Sequence, residues 1–261
     1  MSIRIFLMVG SVLLLNVFCT GAEPDAKSYD LYLLIGQSNM AGRGKVDEES
    51  KKVHPRVFML NKEGAWAPAV DPLHFDKPGA GVGPGLAFGK AMADANPDIK
   101  IGLIPCAVGG TSISVWVPGA HDAATKTHPY DDTLRRVKIA LKDGKLKGIL
   151  WHQGEADRGA EASAHYAEHL TALVARLRKE FDTPDVPFVA GELGQLNEKN
   201  KDATEHFNGI LHELAKSIPH FAVVPANGLK DKGDNLHFDA VSAREMGQRF
   251  AATLRELQKQ K

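Results

Sequence analysis

The sequence predicts an α/β fold: a three-layer α/β/α sandwich around a five-stranded parallel sheet, and three observations carry that reading. Five short apolar runs, at residues 31–35, 99–108, 148–151, 186–190 and 221–225, are separated by stretches of helical periodicity. That alternation belongs to a parallel sheet covered on both faces, and right-handed crossovers make the sandwich its default closure. The chain has 261 residues, 43% hydrophobic and 25% charged, with no linker, repeat or low-complexity tract, so one large domain fits the length.

The first 22 residues stand apart. Arg4 precedes an apolar stretch over residues 5–18, and the small residues Thr20, Gly21 and Ala22 come next, which is the order of a secretory signal. The stretch is short for a membrane span, and residues 23–261 are read as one domain without a membrane anchor, secreted or periplasmic. The bulky Phe18 before Cys19 argues against lipoprotein processing, and removal of Cys19 with the leader leaves Cys106 without an internal disulfide partner. Cys106 lies in an apolar run, where an inert buried thiol is expected. Lysine plus arginine equals aspartate plus glutamate at 32 each, so long-range attraction to nucleic acid or to an anionic membrane is not expected.

Along the chain, residues 23–28 form a polar leader containing Pro24, and order begins near Tyr29. Residues 31–35 are long enough for a buried strand and too short for a helix, and Gly36, Gly42 and Gly44 punctuate the turn beyond it. Residues 57–60 read as a short edge strand. Residues 65–85 carry four prolines and read as an irregular binding loop or lid. Their glycine run is not a phosphate loop: no strand precedes it, Pro84 lacks an N–H, and Gly89-Lys90 is followed by Ala91. Helices are expected over 86–95, 131–142, 164–181 and 204–217, with Leu134, Val137 and Leu141 on one face of the second and Ala167, Leu170, Val174 and Leu177 on the third. The last helix starts at about Asp239 as N-cap and carries Ala243, Gly247, Phe250, Leu254 and Leu257 along one stripe.

Chemistry gathers at the strand ends. Three strands end in polar, glycine-containing turns, Gly36-Gln37-Ser38-Asn39, Gly109-Gly110-Thr111-Ser112 and His152-Gln153-Gly154-Glu155, and the loop after the fifth holds Asp234 and His237. In an open parallel sheet the carboxyl ends of the strands are where ligands bind. A serine hydroxyl needs an imidazole to take its proton, and the imidazole needs a carboxylate to fix its tautomer. Asp234 and His237, three apart, are close enough for one loop to present both to Ser38. The N–H groups of Ser38 and of Gly109-Gly110 and the amide of Gln153 are candidate donors to an oxyanion. Taken singly, the first motif equally describes a helix N-cap, and Asp234 with His237 a loop pair that satisfies backbone.

Together these four blocks resemble those of the SGNH hydrolases, most closely the branch of sialate O-acetylesterase-like proteins and family-six acetylxylan esterases. The resemblance runs from about Tyr29 to Ala251. It implies a flavodoxin-like sheet and hydrolysis of acetyl esters on sugars with no metal or other cofactor. Ser38 would be the nucleophile, His237 the base and Asp234 its partner, with Ser38 N–H, Gly109 N–H and Gln153 as the oxyanion hole. Gln153 stands where the wider superfamily has asparagine, and Glu155 is a second candidate to orient His237. Gln37, Asn39 and Gly110 flank these groups and, with Trp116, are read as substrate-binding.

Other residues carry weaker signals. Arg43 comes shortly after the nucleophile turn and reads either as a substrate contact or as a surface ion pair. His165 and His169 have a spacing able to hold a metal, but the sequence between them reads as a solvated helix face. Gly36-Gln37-Ser38-Asn39-Met40 lacks the second glycine of the α/β-hydrolase elbow. A broader carboxylester hydrolase or lipase, and a secreted carbohydrate-binding protein without catalysis, remain the alternatives.

Overall fold

The structure, a computed structural model, describes residues 28–259, so the leader read in residues 1–22 lies outside the described residues. In chain order the elements are β1 (Tyr29–Gly36), a one-turn α1 (Ser38–Ala41), β2 (Val57–Leu60), β3 (Trp66–Pro68), α2 (Pro84–Ala95), β4 (Lys100–Pro105), α3 (Pro129–Ala140) and β5 (Gly144–His152). Next come α4 (Ala160–Ser163), α5 (Tyr166–Glu180), β6 (Phe188–Gly191), α6 (Lys201–Ser217), β7 (Phe221–Val224) and α7 (Ala240–Lys259).

The strands form one sheet in the order β3-β2-β4-β1-β5-β6-β7, parallel throughout except for β3 against β2. The sheet therefore has seven strands and not the five expected. The five expected strands run β4-β1-β5-β6-β7, the flavodoxin order. Beside them β2, the edge strand expected over 57–60, and β3, which was not expected, form a hairpin at one edge. β2 pairs with β4, and β3 folds back on β2 and sets Trp66 against Tyr29, ring centroids 4.5 Å apart.

β1 is the central strand, and its side chains alternate between two cores. Leu31, Leu33 and Ile35 point to the layer of α3, α5 and α6, where Val137, Leu170, Val174 and Phe207 meet them. Tyr32 and Leu34 point to the layer of α2 and α7, against Phe88, Met92, Phe250 and Leu254. Both faces are thus closed to water, as the parallel sheet requires. Among the described residues no helix is long and apolar enough to cross a membrane.

Two departures from the expected boundaries shape the site. β5 starts at Gly144 and spans nine residues, its exposed Lys145 and half-buried Lys147 having concealed the strand's start in the sequence. β4 ends at Pro105, yet the chain continues alongside β1: Cys106 N–H donates to Leu34 O at 2.8 Å and Val108 N–H to Gly36 O at 2.9 Å. These bonds deliver Gly109 to the end of β1. Cys106 is a free thiol, and burial pushes its pKa up, which suits an inert role. Gly36, with φ +127°, is where β1 turns into the site. A Cβ there would lie 2.1 Å from His152 O, so only glycine lets β1 and β5 meet at this point.

Candidate active site

The ends of β1, β4 and β5 and the loop after β7 converge on Ser38. Its Oγ lies 3.0 Å from His237 Nε2, although the two residues are 199 apart in sequence. The opposite ring nitrogen, Nδ1, lies 2.7 Å from Asp234 Oδ2. With Nδ1–H donating to the carboxylate, Nε2 is left as acceptor for the serine hydroxyl, the tautomer that general-base work needs. Asp234 Oδ1 accepts the N–H groups of His237 at 2.8 Å and Leu236 at 3.1 Å, so the carboxylate also shapes the loop that carries the imidazole. Partial burial raises the Asp234 pKa. Bonds from the His237 N–H and imidazole, from Lys232 and from the Leu236 N–H outweigh it and hold this carboxyl well below the usual range.

Asn39 and Glu155 take roles different from those expected. Asn39 is 4% exposed and clamps both neighbours of His237. Its Oδ1 accepts the Phe238 N–H at 3.0 Å, and its Nδ2 donates to Leu236 O at 3.1 Å. Nδ2 also donates to Glu155 Oε1 at 2.5 Å. Glu155 thus holds the clamp and leaves His237 to Asp234, a correction to its reading as a second orienter of the imidazole. Asn39, read as substrate-binding, likewise spends its amide on the loop. Replacing Asn39 by alanine is expected to lower kcat on 4-nitrophenyl acetate by about 100-fold with KM little changed, since small misplacements of a catalytic group cost that much. Glu155→Gln, whose amide oxygen still accepts, is expected to lose less. Steady-state kinetics checks both, and an Asn39→Ala enzyme within twofold of the parent would refute the clamp.

Gln153 is also redirected. It is fully buried, and its amide donates to Thr111 O at 3.0 Å and to Asp157, while its Oε1 accepts from the Tyr166 hydroxyl at 2.9 Å. Asp157 in turn accepts the Ser112 hydroxyl at 2.6 Å and the Ile113 N–H at 2.9 Å. Gln153 therefore ties the β5 turn to the β4 turn from beneath, with no N–H left for an oxyanion. Trp116, expected as a sugar-facing wall, is 1% exposed and stands edge-on to Trp151 at 5.2 Å in the core. Gly109 reaches Ser38, but its N–H donates to Asp76 Oδ2 at 2.9 Å.

The part of the site open to solvent is a cavity of about 330 Å³ lined by Gln37, Ser38, Arg43, Lys77, Gly109, Gly110, Glu155, Ala156, Leu236 and His237. Gln37 and Gly110 keep their expected place on its wall, and Gln37 Oε1 is buried without a partner. Lys77, Ala156 and Leu236 escaped the sequence reading, as did Asp76, which pairs with Arg43 at 2.7 Å. Asp76 and Lys77 lie in the irregular segment before α2, where no periodicity marks a position as facing the site. His165 and His169 line a different cavity, and no group of three metal-ligating side chains occurs among the described residues.

Comparison with known proteins gives the family and the fold. The family described as "Carbohydrate esterase, sialic acid-specific acetylesterase" matches residues 28–256. A probable carbohydrate esterase of Arabidopsis thaliana, At4g34215, is 30% identical over 241 residues, covering 83% of this chain and 86% of its own. The crystal structure of the Arabidopsis At4g34215 protein superimposes with a TM-score of 0.75 at 28% identity, over 87% of this chain and 97% of that one. The fold is shared with NanS as well, with a TM-score of 0.71 at 18% identity over 90% of this chain and 99% of that one. The chain, with its serine, histidine and aspartate gathered at the carboxyl edge of a flavodoxin-ordered sheet, belongs to the carbohydrate esterase family of sialic acid-specific acetylesterases.

Proposed function

We propose that the protein is an exported serine esterase that removes O-acetyl groups from carbohydrate through an acetyl-enzyme. The observation that carries the reading is the unbroken chain from Ser38 Oγ to His237 Nε2 at 3.0 Å and from Nδ1 to Asp234 at 2.7 Å. Ser38 Oγ attacks the acetyl carbonyl as its proton passes to Nε2. The bond to the sugar oxygen then breaks, and the imidazolium returns the proton to that oxygen. Water, deprotonated by the same nitrogen, hydrolyses the acetyl-serine and releases acetate. Asp234, held ionised by its four donors, stabilises the imidazolium in both halves. The charged order of residues 1–22 supports export.

The size and polarity of the cavity support a short acyl group on a sugar. Arg43, Lys77, Glu155 and Gln37 line it, with Leu236 and Ala156 as its apolar side chains. Acetate release from acetylated sialic acid, acetylated xylan and other acetylated glycans is the test. Release from none of them, with turnover of long-chain 4-nitrophenyl esters, would replace this reading by that of a lipase.

A cation at the mouth favours an acidic sugar. Lys77 is exposed and forms no ion pair among the described residues. Lys77→Ala is expected to lower kcat/KM on acetylated sialic acid about fivefold, the worth of an exposed charge contact of roughly 1 kcal/mol. The same change leaves acetylated xylooligosaccharide unaffected, and added salt shrinks the difference. An equal loss on both substrates would deny Lys77 any role in reading charge.

A further inference from the structure

The tetrahedral oxygen formed on attack by Ser38 needs more than one donor, and two expected ones are committed elsewhere: the Gln153 amide to Thr111 and Asp157, the Gly109 N–H to Asp76. A third group stands in the gap. The Arg43 side chain is 11% exposed, lines the same cavity as Ser38 and His237, and is fixed at two points. Its Nη1 donates to Gly42 O at 2.7 Å and its Nη2 to Asp76 Oδ2 at 2.7 Å. A guanidinium carries five N–H donors, so these bonds orient the group and leave three N–H groups unspent.

Gly109 shows how close the guanidinium comes. A Cβ on Gly109 would lie 2.3 Å from Arg43 Nη2 and 3.3 Å from Ser38 Cβ. The volume that a side chain at 109 would fill is therefore bounded by the nucleophile on one side and by a charged donor on the other. We propose that Arg43 donates to the ester carbonyl oxygen as it becomes an oxyanion, with the Ser38 N–H as the other donor. Asp76 is its positioning residue, anchoring the guanidinium from behind with a carboxylate whose side chain is 2% exposed. A hydrogen bond from a cation to a developing negative charge is the strong kind, and the fold has already oriented the guanidinium before substrate arrives.

The proposal rests on Ser38 being the nucleophile, and the experiments keep the two apart. In the unmodified protein, Ser38 is converted to its methylphosphonyl ester with a fluorophosphonate and the adduct is crystallised. The phosphonyl oxygen is expected about 3 Å from an Arg43 nitrogen. An adduct at Ser38 whose oxygen faces only backbone N–H groups overturns the role of Arg43 and leaves the nucleophile standing. Failure to modify Ser38, with full activity in Ser38→Ala, removes both. Kinetics supplies the second reading. Arg43→Met is expected to lower kcat on 4-nitrophenyl acetate by about 10²- to 10³-fold with KM little changed. Millimolar methylguanidinium restores part of the loss and methylammonium does not, while Asp76→Asn loses less than Arg43→Met. A merely structural ion pair predicts no such rescue, and a folded Arg43→Met enzyme with kcat within threefold of the parent overturns the proposal.

Discussion

Ser38→Ala is expected to lower kcat on acetylated sugars and on 4-nitrophenyl acetate by about 10⁴- to 10⁶-fold, the scale on which nucleophile loss acts in triad hydrolases. His237→Ala is expected to cost a similar factor, and the double variant no more than either alone, because the two groups work as one unit joined at 3.0 Å. Asp234→Asn leaves the loop bonds to Leu236 and His237 available but replaces the carboxylate that accepts the hydrogen bond from Nδ1–H, so the wrong imidazole tautomer is favoured. The expected loss is about 10³- to 10⁴-fold. Glu155→Gln, by contrast, is expected to stay far above that floor, since Glu155 bonds Asn39 instead of the imidazole. The set is read by steady-state rates with thermal unfolding as the check on folding. Glu155→Gln as damaging as Asp234→Asn would return the acid's role to Glu155, and substantial activity in Ser38→Ala would end the serine mechanism altogether.

The parts of this molecule legible in the sequence are those that periodicity writes. β1 is a continuous apolar run because both of its faces are buried, and the helices show their stripes because Leu170, Val174, Phe250 and Leu254 each return to one side every three or four residues. Of the hairpin at the sheet edge the sequence showed only β2, over 57–60; β3 left no mark, since it is three residues with a proline at its end and is half-exposed. The grouping of Ser38, His237 and Asp234 could be anticipated because the serine-esterase chemistry proposed for them demands particular residue types at strand ends. Around it the sequence misassigned amides: Gln153 and Asn39 sit in the right turns, but direction decides their use, and direction depends on which buried partner is nearer. Gln153 meets Thr111, Asp157 and Tyr166 below the cavity floor, and Asn39 meets the backbone on both sides of His237. Trp116 went inward because Trp151 and Thr111 offer its ring and its N–H a packed home. Asp76 was invisible for the opposite reason, since its two partners, Arg43 and Gly109, are 33 residues away on either side and share no pattern with it.

Asp71→Asn is expected to stabilise the protein at neutral pH and to remove a pH dependence of folding. Asp71 is 5% exposed, and neither carboxylate oxygen has a hydrogen-bond partner, the Gly83 N–H lying near without bonding geometry. Burial pushes its pKa up to about 7, against the weaker opposing pull of Arg244, Gly83 and Lys90. Native Asp71 keeps its proton until about pH 7, whereas the unfolded chain loses it above about pH 4. The unfolded state therefore binds fewer protons across that window, so this group's contribution to stability falls as pH rises from about 4 to about 7 and is flat above. Asparagine has the same shape and no proton to lose. From pH 5 to pH 8 the parent is expected to lose about 3 kcal/mol relative to Asp71→Asn, the linkage of roughly two pH units. Urea unfolding of both proteins at the two pH values measures the difference directly, and every other titrating group cancels between them. Were Asp71 instead ionised and paired with Arg244 in the native state, the asparagine variant would be the less stable protein at pH 8, because the substitution would strand the guanidinium.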